Sequence, residues 1–161
     1  MLLFRSNLIS SGHDFFEGVF SHDIQFLLDH ILNKEKLLSI EQFNKNLLSC
    51  KLSPRDSSNK PCPFKTRKRN AKYEGSANQL RVLSRVVTVA LGQALETSEV
   101  GQMIVSLQEV AEIVTSPKLT KSEILGVMSD KIREYLDLRI EAIDNLDMPN
   151  ARPKHHMLRE D

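Results

Sequence analysis

Apolar residues recur at three- and four-residue steps through most of the chain, the spacing that lines one face of an α-helix. Phe16, Val19, Phe20, Ile24, Leu27, Leu28, Ile31 and Leu32 follow it, predicting one or two helices over about residues 15–32, with Gly18 a break and Ser21 a cap for a restart. Ser39 stands three residues before Gln42, and Leu38 and Phe43 flank the pair. A hydroxyl and an amide at that spacing can each satisfy the other's free backbone N–H, and the two apolar residues can staple the turn. A short helix is expected from Ser39 to about Leu48. Leu80, Leu83, Val86, Val87, Ala90 and Leu91 follow Ser76, and Met103, Ile104, Leu107, Val110, Ala111 and Val114 follow Ser98, predicting two antiparallel helices. Pro117 ends the second. Thr120 with Glu123, between Leu119 and Ile124, repeats the capping signature ahead of Val127, Met128, Ile132, Tyr135, Leu136, Ile140 and Ile143, a long amphipathic helix.

Between Ser49 and Gly75 the periodicity stops. Pro54, Pro61 and Pro63 appear among serines, asparagines and cations, and such a stretch has little apolar surface to offset the entropy of ordering it. The organisation expected is an N-terminal helical pair over 1–48, a basic Pro/Ser-rich linker over 49–75, a three-helix module over 76–146 and a polar tail over 147–161, unpacked at its end. The fold class is all-α, a small bundle of about five helices. The absence of Trp and an aromatic content of 6% argue against a sandwich or barrel, and the mixed three- and four-residue steps argue against a long coiled coil.

The 161 residues, 40% of them hydrophobic, suffice for one domain with a modest core. The formal net charge of +1 hides an uneven distribution, because 51–72 holds eight basic residues and one acid, Asp56. Two cysteines, Cys50 and Cys62, are too few for a disulfide scaffold and are expected as free thiols. The opening residues lack the apolar core of a secretory signal and no apolar run reaches membrane-spanning length, so a soluble intracellular protein without a membrane partner is expected.

Four groups of residues bear on chemistry. Asp14 and Glu17, three apart, would project from one side of a helix and could share a divalent cation, or sit as solvated acids near a helix start. Lys65, Arg67, Lys68 and Arg69, with Lys72 beyond, could meet phosphate, serve as a nuclear-import address or solvate a loop, and Phe64 and Tyr73 flank them as candidate stacking partners for bases. His155 and His156, after Lys154, with Cys50, Cys62 and the other histidines, are conceivable zinc ligands, but no spacing matches a closed zinc site. Ser53-Pro54 offers a proline-directed phosphorylation site beside the basic run. The sequence has no Gly-rich phosphate loop, no Gly-x-Ser-x-Gly elbow and no Cys/His nucleophile arrangement.

Read in order, Gly12-His13-Asp14-Phe15-Phe16-Glu17-Gly18-Val19, then Phe26-Leu27-Leu28 and Leu38-Ser39-Ile40-Glu41-Gln42-Phe43-Asn44, resembles animal CACTA-like (En/Spm-type) DNA transposases, whose pattern runs His-Asp-Xaa-Xaa-Glu-Gly-Val. Gly75-Ser76-Ala77-Asn78-Gln79-Leu80, Leu83-Ser84-Arg85 and Pro153-Lys154-His155-His156-Met157-Leu158 look like later landmarks of that family in the same order. The resemblance implies an RNase H-like parent fold whose acidic residues hold two Mg²⁺ ions, one activating the attacking oxygen and the other stabilising the leaving oxygen. This chain departs from the pattern. Ser10 stands where the family often has Asp, and the sequence stops at Asp161, short of a further acidic ligand. Expected, then, is a transposase-derived, middle-to-C-terminal helical fragment without catalysis, with Asp14 and Glu17 vestigial and no bound cofactor. DNA is its expected partner through the basic segment, protein partners would cover its exposed helix faces, and its location is nuclear rather than cytoplasmic. The alternative is a free-standing helical protein-interaction module whose basic linker serves nuclear import.

Overall fold

The computed structural model describes residues 12–116 and 121–149, and within them the chain is all-helical. Residues 12–34 form one uninterrupted helix, α1, followed by α2 (Ile40–Ser49), α3 (Ala77–Leu91), the short α4 (Gln93–Thr97), α5 (Gly101–Thr115) and the long α6 (Lys121–Leu146). Lys154, His155 and His156, Ser10 and the Leu119–Thr120 half of the second capping signature lie outside the described residues.

Gly18 does not break α1. Two stretches, Phe15–Phe20 and His30–Lys34, are wound as π-helix. A π turn widens the ladder to i→i−5 and leaves carbonyls to be satisfied otherwise. The Ser21 hydroxyl takes that role, donating to the Glu17 carbonyl at 2.8 Å and the Gly18 carbonyl at 3.2 Å, and His22 Nδ1 lies 3.0 Å from the Gly18 carbonyl. Ser21 thus back-bonds within a continuous helix and caps nothing. The helix ends with Lys36 at a φ of 54° and the Leu37 N–H reaching back six residues to the Ile31 carbonyl, a left-handed C-terminal closure.

The other caps follow local chemistry. Ser39 Oγ accepts from the Gln42 N–H at 3.0 Å, but the Gln42 side chain turns to Asn46, so only half of the expected box forms. Ser76 and Gln79 make both halves. Gly92, at a φ of 55°, ends α3.

One core joins all of these elements, and α1 is its centre. Phe15, Phe16, Val19, Phe20, Ile24, Leu27, Leu28, Ile31 and Leu32 are all buried, as are Ser21, Asp23, Gln25 and His30 on its other sides. A helix buried nearly all round belongs to the interior, so the N-terminal pair is not an appendage to a three-helix module. Phe43 and Leu47 of α2, Leu80, Leu83, Val87 and Leu91 of α3, Ile104, Leu107 and Val110 of α5, and Ile132 and Tyr135 of α6 close around it.

The segment 49–75 has no regular helix, as expected, yet it is not a free linker. Phe64 and Tyr73 are 2% and 3% exposed and pack on each other in the common core. Side chains of the helices meet the backbone that periodicity leaves unpaired. Asn44 accepts from the Phe64 N–H at 2.7 Å and donates to its carbonyl at 3.1 Å, Gln25 donates to the Lys65 carbonyl at 2.9 Å, and the Tyr73 N–H donates to the Ser21 carbonyl. Two buried aromatics and these hydrogen bonds supply the ordering energy that its low hydrophobicity does not. The described start of the tail is packed, with Met148 buried and its N–H bonded to the Ala142 carbonyl, and the rest of the tail lies outside the described residues.

Candidate functional site

Of the apolar stripe expected on α6, Ile132 and Tyr135 are buried and Leu136 and Ile143 pack partly buried against the core, but Ile140 is 54% exposed while Arg139 and Ala142 are buried. The reason lies on α1. Asp23 is 1% exposed, and its carboxylate accepts two parallel bonds from Arg139, Nε to Oδ2 at 3.0 Å and a terminal nitrogen to Oδ1 at 3.1 Å, plus a short one from the Tyr135 hydroxyl. A buried carboxylate is costly unless paired and hydrogen-bonded, so Asp23 selects a guanidinium over an isoleucine at this level. Burial, reinforced by the carboxylate, pushes the Tyr135 phenol well above its usual range. For Arg139, burial opposes the charge, but the Asp23 carboxylate and its hydrogen bonds outweigh that and hold it more firmly protonated than usual. The remaining guanidinium nitrogen, NH1, is buried and meets no acceptor among the described residues.

Arg139 and Asp23 form part of the lining of a cleft of about 190 Å³ between α1, the 67–71 stretch and the end of α6. Arg67, Lys68 and Arg69 reach it from the loop, Lys34 from the second π stretch, and Asp147 and Met148 from beyond α6. Its carboxylates are engaged. Asp23 holds Arg139, Asp147 takes Arg69 at 2.9 Å, and Asp29 accepts from the Asn33 amide at 2.7 Å. Asn33 also donates to Thr66 at 3.0 Å, tying the loop to the end of α1. Arg67 bonds Glu74 at 3.0 Å. Lys34 and Lys68 are exposed and make no ion pair with any described residue. The cleft is therefore a concave, cationic site with a half-buried aromatic ring, Phe26, on its wall.

Of the basic residues singled out by sequence, the fold thus gathers Arg67, Lys68 and Arg69. Lys65, 3.7 Å from Glu74, and Lys72 stay on the exposed loop and do not line the cleft. Phe64 and Tyr73 are buried and unavailable to stack on bases; burial first, then the nearby Cys62 and Glu74, pushes the Tyr73 phenol up, and its hydroxyl donates to the Cys62 carbonyl at 2.6 Å.

The paired acids lie elsewhere. His13 Nε2 sits 3.1 Å from Glu17 Oε1, Asp14 is half-buried at the start of α1, and Gly18 is buried in the first π stretch. Among the described residues neither acid joins a group of three potential metal ligands, and neither cysteine does; both cysteines are free thiols. The one such group is His30, Glu35 and Glu99, and its contacts have a structural explanation. Glu35 accepts from the Ser98 hydroxyl and, at 3.1 Å, from the Glu99 N–H just ahead of α5, while Glu99 lies 2.7 Å from His30 Nε2. These carboxylates serve the positive end of α5, where free N–H groups need acceptors.

Among the described residues no helix is long and apolar enough to cross a membrane. Comparison with protein-family models, with curated proteins and with solved structures finds no match to this chain.

Proposed function

We propose that the protein is a helical nucleic-acid-binding module that holds phosphate through the cleft of Arg67, Lys68, Arg69, Lys34 and Arg139, and that it is not an enzyme. The observation that carries this reading is the convergence of five cations from three separate elements on one concavity in a chain whose net charge is only +1. A chain so nearly neutral has no bulk attraction for nucleic acid, so attraction must come from a local concentration of charge. The ordered landmarks from His13 to His156 support descent from a CACTA-like transposase, with Asp14 and Glu17 as vestiges; terminal inverted repeats flanking the coding sequence would test that descent. The exposed run Lys65–Arg69 supports a nuclear location, which fails if a tagged protein lacking it distributes unchanged.

The direct test is a mobility-shift titration on DNA over a salt series. Contacts to phosphate release counterions, so affinity should fall steeply with salt, and replacing Arg67, Lys68 and Arg69 with Ala should flatten that slope by about 2 to 3 in log–log form. No retardation at low salt sinks the reading. A second reading, a protein-interaction module, is favoured by the exposure of Leu48, Val89 and Ile140, at 73%, 70% and 54%. They lie on α2, α3 and α6, three different helices, and scattered apolar residues are ordinary on a soluble surface. Nucleic-acid binding is accordingly preferred.

A further inference from the structure

The cleft is shaped for more than a passing backbone phosphate. We propose that it is a pocket for a phosphomonoester dianion, carried by free phosphate or by the terminal phosphate of a nucleic-acid strand; in its strand-end form the proposal rests on the nucleic-acid reading above.

Three features carry it. The first is Arg139, 3% exposed, with two guanidinium nitrogens fixed on Asp23 and a third, NH1, buried without an acceptor among the described residues. Buried donors are almost always satisfied, and because Arg139 is part of the cleft's lining, an oxyanion there is the acceptor to which such a cationic N–H donates most readily. The second is charge. The lining holds five cations against three carboxylates, an excess of two positive charges, and among the described residues Lys34 and Lys68 pair with no carboxylate. A phosphomonoester carries close to two negative charges at neutral pH, and an internal phosphodiester only one. The third is convergence. α1, the 67–71 loop and the end of α6 all line the one cleft, so cationic donors from three elements can meet several oxygens of a single group. Arg67 and Arg69, braced on Glu74 and Asp147, hold the rim.

Two measurements test it. In the first, fluorescence anisotropy compares single strands of one sequence bearing a 5′-phosphate or a 5′-hydroxyl, at fixed salt. The phosphorylated strand should bind about tenfold tighter, the worth of one or two added charge-assisted hydrogen bonds. Lys34→Ala, at an exposed position that folding does not need, should collapse the difference. In the second, thermal melting in sodium phosphate is compared with melting in sodium chloride of matched ionic strength. Phosphate should raise Tm for the wild type and raise it less for Lys34→Ala and for Arg139→Lys. If both strands bind equally well and phosphate gives no shift, the pocket is overturned although the nucleic-acid reading stands. If neither strand binds while phosphate still protects the wild type through Lys34, the pocket holds in its free-phosphate form and the nucleic-acid reading falls.

Discussion

Asp23 and Arg139 stand 116 residues apart in sequence and meet in the interior, where each makes the other tolerable. Removing one partner leaves an uncompensated buried charge, so Asp23→Ala should cost about 3–5 kcal/mol in chemical denaturation. Tyr135→Phe keeps the ion pair and removes only the phenolic donor, and should cost about 1–2 kcal/mol. Tyr135 and Tyr73, the chain's two tyrosines, both have phenols pushed up chiefly by burial. A folded-state value above the unfolded one means that stability is fully present below the unfolded tyrosine value of about 10 and is lost as pH rises through and beyond it. The denaturation midpoint should therefore hold steady through neutral pH and fall above about pH 10, with phenolate absorbance rising together with unfolding. The Tyr73→Phe, Tyr135→Phe double variant, though less stable throughout, should lose less of its midpoint over that alkaline span; an undiminished loss would assign alkaline unfolding to other groups.

Two glycines in helices call for opposite outcomes at the scale of elements. A Cβ on Gly101, at the first turn of α5, would lie 1.9 Å from the Leu95 carbonyl oxygen, backbone that cannot rotate away, so Gly101→Ala should destabilise by about 1–3 kcal/mol or more. A Cβ on Gly126, exposed within α6, meets nothing within 4 Å, and Gly126→Ala should stabilise by about 0.5–1 kcal/mol through helix propensity alone. Thermal melts of the two variants moving in the same direction would contradict the close packing of α4 against α5. Neither assignment is visible in the sequence, where both are helical-looking glycines; the difference is made by Leu95 and the tight turn after α4. The same boundary runs through the other elements. Helix existence and the Ser39 cap were legible because the chemistry spans three residues, and the Ser76–Gln79 box, though not anticipated, obeys the same local rule. The burial of Arg139 rather than Ile140 on α6 was not legible, since it depends on Asp23 in a distant helix. Nor were the π stretches of α1, whose widened turns have no compositional marker beyond Ser21, where a hydroxyl can be read as a cap or as a back-bond.

Across the whole molecule, the candidate site depends on a segment without periodicity being held in place. Sequence showed that Lys65–Arg69 was basic, which sufficed to name Arg67, Lys68 and Arg69; it could not show Lys34 and Arg139 beside them, because their approach is set by packing between α1, the loop and α6. The anchors of that loop are side chains on helices: Asn44 on Phe64, Gln25 on the Lys65 carbonyl, Asn33 on Thr66, and Arg85 of α3 at 2.9 Å from the buried Asp56. Asn44 meets both backbone groups of Phe64, so Asn44→Ala leaves an N–H and a carbonyl unpaired at the edge of the core while changing no charge. Each such loss costs about 1–3 kcal/mol, and because the loop lacks regular structure, the cost should fall on local opening rather than on global unfolding. Limited trypsin digestion should then cut after Arg67, Lys68 or Arg69 about tenfold faster than in the wild type, since cleavage tracks the population of the open form. DNA affinity should drop in parallel, although every cation of the cleft is still present. If cleavage accelerates and affinity does not change, the basic run binds as a flexible chain and the cleft does not organise it; if both change together, the fold's contribution to function is the fixing of charges that the sequence merely supplies.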